Sequence, residues 1–350
     1  MLRLPTLSPH TLSIIVPCFN EAEVLPEFHR RLAAVMDALP SPAEPWTVLY
    51  VNDGSRDGTL RVIDDLRRQH PQVASLNLSR NFGKEAATTA GLDAALQDPA
   101  IAAVVVIDAD LQDPPEVIPA LIDAWRGGFD MVYAQRRERR GDTWLKKTSA
   151  DLFYRLMERL GRVDMPRDTG DFRLMSRRVV DALGQLRERH RFMKGLFAWV
   201  GYPTTSIRYD RAPREAGTSK WSYWRLWNLA LEGITGYTVA PLTLATYTGM
   251  AVALMAIGYG ILTVIRTAIF GNEVPGYPSL LVVVLFLGGV QLVTLGIIGE
   301  YLGRIFNETK ARPLYLVESY RPATGAPALT QPGPASPELA QPGWAAQHRD

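Results

Sequence analysis

The stretch Val106-Ile107-Asp108-Ala109-Asp110-Leu111-Gln112-Asp113-Pro114-Pro115 decides how the rest of the chain is read. An apolar run from Ala103 to Ile107 delivers two carboxylates one residue apart and then stops at a proline pair. Unbroken apolar runs of this length are how strands buried on both faces read, and open α/β sheets hold ligands at the carboxyl ends of such strands. Asp108 and Asp110 are therefore expected at the lip of a sheet, placed to share one hard divalent cation. Mg²⁺ or Mn²⁺, with oxygen ligands and open positions, is the usual partner of a diphosphate. A bare D-x-D also has a plainer reading, in which the acids end the strand and cap the next helix. The surroundings of this one favour the ion.

Working outward, apolar runs alternate with helical patterns from Thr11 to Gln135. Strands are expected at Leu12–Pro17, Thr47–Asn52, Val73–Leu78, Ala102–Ile107 and Phe129–Ala134. Helices are expected near Ala22–Leu39, Gly58–Gln69, Lys84–Leu96 and Glu116–Trp125. This alternation implies right-handed βαβ crossovers and a mostly parallel sheet. Four turns then fall at strand ends: Val16-Pro17-Cys18-Phe19-Asn20-Glu21, Val51-Asn52-Asp53-Gly54-Ser55-Arg56-Asp57-Gly58-Thr59, Ser79-Arg80-Asn81-Phe82-Gly83-Lys84-Glu85, and the Asp108/Asp110 turn. A parallel sheet aligns its strand ends, so all four should meet on one rim. Each alone is ordinary turn chemistry; the four together point to a site.

The 350 residues leave room for one large α/β domain and something smaller. A net charge of +2 does not argue for nucleic acid. The one cysteine, Cys18, excludes a disulfide framework and reads as a small core residue. Met1 to His10 lacks an apolar centre, so no signal peptide is expected. No charged residue lies between Glu232 and Arg266, or between Glu273 and Glu300. Spans of about 242–265 and 280–302 are each long enough to cross roughly 30 Å of hydrocarbon, joined by a short Gly/Pro loop. Two buried core helices are the alternative. Arg214, Lys220 and Arg225 precede the first span, Arg304, Lys310 and Arg312 follow the second, and only Arg266 lies between. Both termini and the α/β domain are therefore expected in the cytoplasm. Residues 212–240 read as an acceptor loop plus an interfacial helix over Trp221–Thr235. Residues 304–319 read as a juxtamembrane segment, and 320–350, rich in Pro, Ala and Gln, as a disordered tail.

The series V-P-C-F-N-E, N-D-G-S-R-D-G-T, S-R-N-F-G-K-E, D-A-D-L-Q-D-P-P, T-G-D-F-R-L, R-F-M-K-G-L, A-G-T-S-K-W and K-A-R-P-L-Y resembles the family-2 glycosyltransferases of the GT-A fold. More narrowly, it resembles the polyisoprenyl-phosphate group that includes bactoprenol glucosyltransferases and dolichyl-phosphate mannose synthase. The resemblance implies a Rossmann-like, mostly parallel catalytic domain over residues 1–211, followed by the interfacial helix and a two-helix transmembrane hairpin. It implies that Asp53 accepts hydrogen bonds from a uracil or ribose, that Pro17, Asn20 and Glu21 shape the nucleotide pocket, and that Asp108, Asp110 and Gln112 hold the metal. Lys84 reads as a second cation near the diphosphate or as a solvated helix-start lysine. Asp171 corresponds to the proposed base, with acceptor orientation or pairing to Arg173 as the other reading. The family also allows a tetramer.

The implied reaction is inverting transfer of a hexose, best read as glucose from UDP-glucose, to a polyprenyl phosphate. With a second pKa near about 6, such a phosphate is largely a dianion at neutral pH and needs cations more than a base. Arg136, Arg137, Arg139, Arg140, Lys146, Lys147, Arg191, Lys194, Arg214 and Lys220 could supply them. The basic loop could instead touch anionic headgroups. Thr243 stands where many relatives carry arginine, so a phosphate contact from there is not expected. Gln291, the lone amide within a span, reads as an interhelical hydrogen bonder. A processive polysaccharide synthase would carry Q-x-x-R-W, which is absent. A non-catalytic sensor or scaffold is disfavoured by the intact Asp53, Asp108, Asp110 and Asp171.

Overall fold

The computed structural model describes residues 11–39, 45–137, 169–189, 191, 193–210, 240–270 and 276–324. Eight strands form one sheet: β1 (Thr11–Cys18), β2 (Trp46–Asn52), β3 (Val73–Leu78), β4 (Ile101–Val106), β5 (Met131–Arg136), β6 (Thr169–Ser176), β7 (Thr204–Tyr209) and β8 (Val317–Arg321). Their order is β7-β5-β6-β4-β1-β2-β3-β8. Strands β4, β1, β2 and β3 run parallel, as do β5 and β7. Strand β6 is antiparallel to both its neighbours, and β8 is antiparallel to β3. Helices α1 (Leu25–Asp37), α2 (Thr59–Gln69), α3 (Lys84–Leu96), α4 (Ile118–Arg126), α5 (Arg177–Gln185) and α6 (Met193–Trp199) complete the α/β body.

The period of two along β1 divides the core. Leu12, Ile14 and Val16 pack with Phe28 and Leu32 of α1, Ile63 of α2 and Leu121 of α4. Ile15, pointing the other way, packs with Ala87 and Ala90 of α3, Val179 of α5 and Leu196 of α6. Burial on both faces explains why β4 reads as a continuous apolar run; β3 is equally buried but carries Ser75 and Asn77, the latter accepting a hydrogen bond from Asn52 Nδ2. The direction of winding reverses between β1 and β4, where doubly wound sheets open a crevice. Because β6 is antiparallel to β4, its first residues return to the same rim.

The five expected strands lie within two residues of the observed ones. Helix α1 starts at Leu25 rather than Ala22: residues 22–24 form a turn closed by the Val24 N–H on Glu21 O, and the N–H groups of Glu21 and Ala22 go to Thr59 and Asp57. The expected tail requires correction at its start; residues 325–350 lie outside the described residues. Residues 317–321 form an edge strand in which Leu76 faces Tyr320 and Ser75 faces Arg321. Ala323 is buried, and the Thr324 N–H donates to Pro71 O at 2.8 Å. Strand β3 would otherwise present an open edge, and β8 supplies its missing partners.

Helices α7 (Ala240–Phe270) and α8 (Tyr277–Thr309) pack on each other. They contain apolar stretches at Pro241–Phe270 and Val282–Thr309, almost wholly uncovered by the rest of the protein. Helices that apolar and that uncovered need a non-aqueous partner. At 31 and 33 residues both outrun the expected spans, and each exceeds about 45 Å in length. The helical hydrogen bonding continues through Arg266 at one end and the Glu300–Arg304 pair at the other. The helix expected near Thr148–Leu160, the interfacial helix, Arg139, Arg140, Lys146, Lys147, Arg214 and Lys220 lie outside the described residues.

Candidate active site

Three of the four strand-end turns are stitched together by their own side chains. Asn20 takes a left-handed backbone, φ +57°; its N–H donates to Ser55 Oγ at 3.0 Å, and its Oδ1 accepts the Arg56 N–H at 2.9 Å. The Glu21 N–H donates to Thr59 Oγ1 at 2.9 Å, and the Ala22 N–H to Asp57 at 3.2 Å. Asp53 is 2% exposed and accepts N–H bonds from Phe82 at 2.7 Å and Gly83 at 2.9 Å. Gly54 has φ +61°, and a Cβ there would lie 2.3 Å from Arg80 C. The third turn thus passes directly over the second, and Lys84 is delivered to the mouth of the crevice.

A cleft of about 230 Å³ results, lined by residues of all four turns: Pro17, Phe19 and Glu21, then Asp53, then Gly83 and Lys84, then Asp108 and Asp110. Lys84 Nζ lies 2.7 Å from Asp108 Oδ2 and 2.6 Å from Asp171 Oδ2, so one ammonium bridges β4 and β6. Burial alone would lower the Lys84 pKa, but Asp108 and then Asp171 hold it above its ordinary value. Burial raises Asp108, with Lys84 opposing. At Asp171 burial is outweighed by Lys84, then Arg173 and Lys194, and the carboxyl sits below its ordinary range. Asp171 Oδ1 is buried with no hydrogen-bond partner among the described residues. Neighbouring Glu85 is pushed up to about 7, first by burial and then by Asp171. Burial also lowers Lys194, which Asp171 partly offsets.

Asp110 accepts the Gln112 N–H at 3.1 Å across Leu111, itself left-handed at φ +57°. Leucine in that conformation is strained, and such strain gathers at functional turns. Gln112 is 6% exposed and, like Asn20, does not line the cleft; both shape the turns behind it. Two carboxylates from one turn are a hard oxygen set. They fit a Mg²⁺ or Mn²⁺ ion completed by a ligand's phosphates, not an all-protein cage. Among the described residues there is no group of three or more acidic, histidine or cysteine side chains suited to a metal.

Of the expected acceptor cations, Arg136 and Lys194 sit beside this cluster. Arg137 pairs with Asp210 at 3.4 Å, and Arg191 donates to Leu186 O at 2.7 Å among Asp93, Arg187 and Glu188. Sequence reading gave no role to three residues here, Asp113, Tyr209 and Glu85, and named Arg173 only as a pairing partner of Asp171. Asp113 is 2% exposed and accepts the Tyr209 hydroxyl, with Arg136 Nη2 3.8 Å away. Arg173 is 4% exposed, stacks 3.7 Å from the Phe197 ring centroid and donates to Gly170 O at 2.9 Å; burial lowers its pKa to about 10. Asp113 had a signal, a third acid in D-x-D-x-Q-D. Tyr209 and Glu85 had none beyond their neighbours.

Comparison with known proteins identifies the family. The model of "Glycosyl transferase family 2" matches residues 13–184, and that of the "GtrB C-terminal hairpin" matches residues 240–305. A "Bactoprenol glucosyl transferase" of Shigella phage SfX is 48% identical over 308 residues, 88% of this chain and 99% of that protein. The chain belongs to glycosyltransferase family 2. This glycosyltransferase is also 51% identical to the uncharacterized glycosyltransferase sll0501 of Synechocystis, over 87% of this chain and 94% of the relative. A prophage bactoprenol glucosyl transferase homolog of Escherichia coli K12 is 46% identical over 88% and 98%. The expected GT-A class, with its mostly parallel sheet and C-terminal hairpin, is borne out.

Proposed function

We propose that this glycosyltransferase moves glucose from UDP-glucose to a polyprenyl phosphate, with inversion, from a catalytic domain held at the cytoplasmic face of a bacterial inner membrane. The carrying observation is that similarity to bactoprenol glucosyl transferases spans both the cleft and the hairpin. The basic residues flanking the hairpin support the orientation.

In this reading the first, second and third turns receive the nucleotide. Asp53, with both oxygens already taking loop N–H bonds, fixes the wall of that pocket and has lone pairs left for a ribose or base. Asp108 and Asp110 would hold Mg²⁺ or Mn²⁺, which when bound supplies charge stabilisation for the departing diphosphate. Lys84 adds a second positive charge at the same place. The lipid phosphate attacks the anomeric carbon on the face opposite the diphosphate, and Arg136 and Lys194 hold its charge. A phosphate dianion needs no deprotonation, so the low pKa of Asp171 suits an orienting carboxylate better than a base.

Purified protein in detergent should convert UDP-glucose and undecaprenyl phosphate to a lipid-linked hexose with Mg²⁺ or Mn²⁺, read by mass spectrometry. UDP-galactose, UDP-N-acetylglucosamine and GDP-mannose should serve poorly. Failure with every donor would end the proposal; a better donor than UDP-glucose would replace the sugar and leave the acceptor.

A further inference from the structure

The inference rests on the acceptor role proposed for Arg136. Strands β5 and β7 are parallel neighbours in a register that places Arg136 opposite Tyr209, at their carboxyl ends on the site's rim. Asp113 arrives there from the turn after β4. One oxygen, Asp113 Oδ1, accepts the Tyr209 hydroxyl and also faces Arg136 Nη2 at 3.8 Å. Arg136 Nε lies 3.5 Å from the same hydroxyl. The Gly170 Cβ direction meets Arg136 Nη2 at 3.4 Å and Asp113 Oδ2 at 3.8 Å, which sets the trio against the turn carrying Asp171.

The unusual distance is the 3.8 Å. An arginine beside a buried carboxylate ordinarily closes to a charge-assisted hydrogen bond near 2.8 Å, often bidentate. Here the tyrosine hydroxyl occupies the facing oxygen, and the guanidinium stands off. The carboxylate is nearly inaccessible while the arginine side chain is 25% exposed, so the cation is backed by a buried charge and itself reaches the surface. The Tyr209 ring is fixed independently, edge-on to buried Phe172 at 6.2 Å. An arginine otherwise spends several rotors of freedom on binding an anion, and preorganisation lowers that cost.

We propose that Tyr209 and Asp113 are a positioning pair for Arg136, keeping its guanidinium out of a closed ion pair and aimed at the acceptor phosphate. Without the hydroxyl, Arg136 falls back onto Asp113 and its donors are used internally.

Tyr209→Phe tests this, because it removes one oxygen and leaves the ring packing. KM for undecaprenyl phosphate should rise about tenfold, the worth of one charge-assisted hydrogen bond, with KM for the nucleotide-sugar unchanged. On an Arg136→Ala background the same change should add nothing, since the effect passes through Arg136. Asp113→Asn is the second variant: it still accepts the hydroxyl but lacks the charge that holds the arginine, and it should raise the acceptor KM too. An unchanged acceptor KM in both variants, an equal loss with and without Arg136, or a matching rise in donor KM would overturn the assignment. Each presupposes wild-type transfer to the lipid; its absence would instead sink the proposed function.

Discussion

Gly54→Ala is the sharpest perturbation the site offers, because the structure fixes both its size and its route. The new methyl would sit 2.3 Å from Arg80 C and 2.4 Å from Asn81 N, about 1 Å inside the 3.4 Å of ordinary contact, and both obstacles are backbone. The residue is also left-handed, which costs alanine about 1–2 kcal/mol before any clash. Relief requires the Ser79–Gly83 turn to lift. That weakens the bonds from Phe82 and Gly83 to Asp53, each worth about 1.5–3 kcal/mol as a hydrogen bond to a charged group. Strain plus one lost bond gives about 3–5 kcal/mol of destabilisation. Lys84 follows the turn, and a displacement of about 1 Å at a reacting site costs about a hundredfold in kcat/KM. Gly58→Ala is the matched control, with φ −77° and the nearest obstacle, Ala22 Cβ, at 3.7 Å. Thermal melting in detergent and initial rates of lipid-linked sugar formation would be compared. If Gly54→Ala behaves like Gly58→Ala in both, the packing of the third turn on the second does not build this site.

Asp110→Asn should abolish turnover while leaving melting in metal-free buffer unchanged, and it should remove any stabilisation by Mn²⁺ plus UDP; near-normal turnover would dismiss the two-carboxylate metal site. In Lys84→Met the charge that holds Asp171 low is gone while burial remains, so the acidic limb of kcat/KM should move to higher pH; an unmoved limb would show that Asp171 does not govern it. His29 bears on stability. Burial first, and then His70, lowers its pKa to about 4, its Nδ1 meets the Tyr50 hydroxyl at 2.8 Å, and its Nε2 is buried without a partner among the described residues. Because the folded pKa lies below the unfolded value near 6.5, its contribution is complete above pH 6.5 and falls by about 3 kcal/mol as pH drops to 4. His29→Leu should flatten that acid loss of stability, and an equally steep loss in the variant would place its origin elsewhere.

The central sheet was legible because burial on both faces favours apolar runs, clearest at residues 14–16, residues 48–51 and Ile101–Val106, and least so in β3, where Ser75 and Asn77 interrupt the run. The convergence of four turns was legible for a related reason, since parallel strands share an end. Two kinds of feature escaped. Strand β6 carries Asp171 to the rim only because it runs antiparallel beside β4, and no local pattern in Thr169–Ser176 states its direction. Strand β8 was hidden by composition, since five residues that include Glu318, Ser319 and Arg321, at the head of a Pro/Ala-rich tail, carry little strand signal until β3 is there to pair with. Tyr209 and Asp113 are nearly a hundred residues apart in sequence and meet only through strand order.

Strand β8 also bears on how a soluble donor and a membrane-borne acceptor are brought to one cleft. The chain leaving α8 is bound to the catalytic domain at successive points: the Arg189 N–H on Glu308 Oε1 at 2.7 Å, the Tyr315 hydroxyl on Asp93 Oδ2 at 2.7 Å, and the Ser79 N–H on Leu316 O at 3.0 Å. Ser79 opens the turn that carries Gly83 and Lys84 into the cleft. From Thr309, the last residue of α8, to Leu316 is a stretch of chain that spans at most about 25 Å when fully extended. With the hairpin read as membrane-spanning, chain length alone therefore limits how far this turn can stand above the bilayer. The same segment that anchors the domain closes the edge of its sheet, so the height of the cleft is set by the fold and not by a flexible leash.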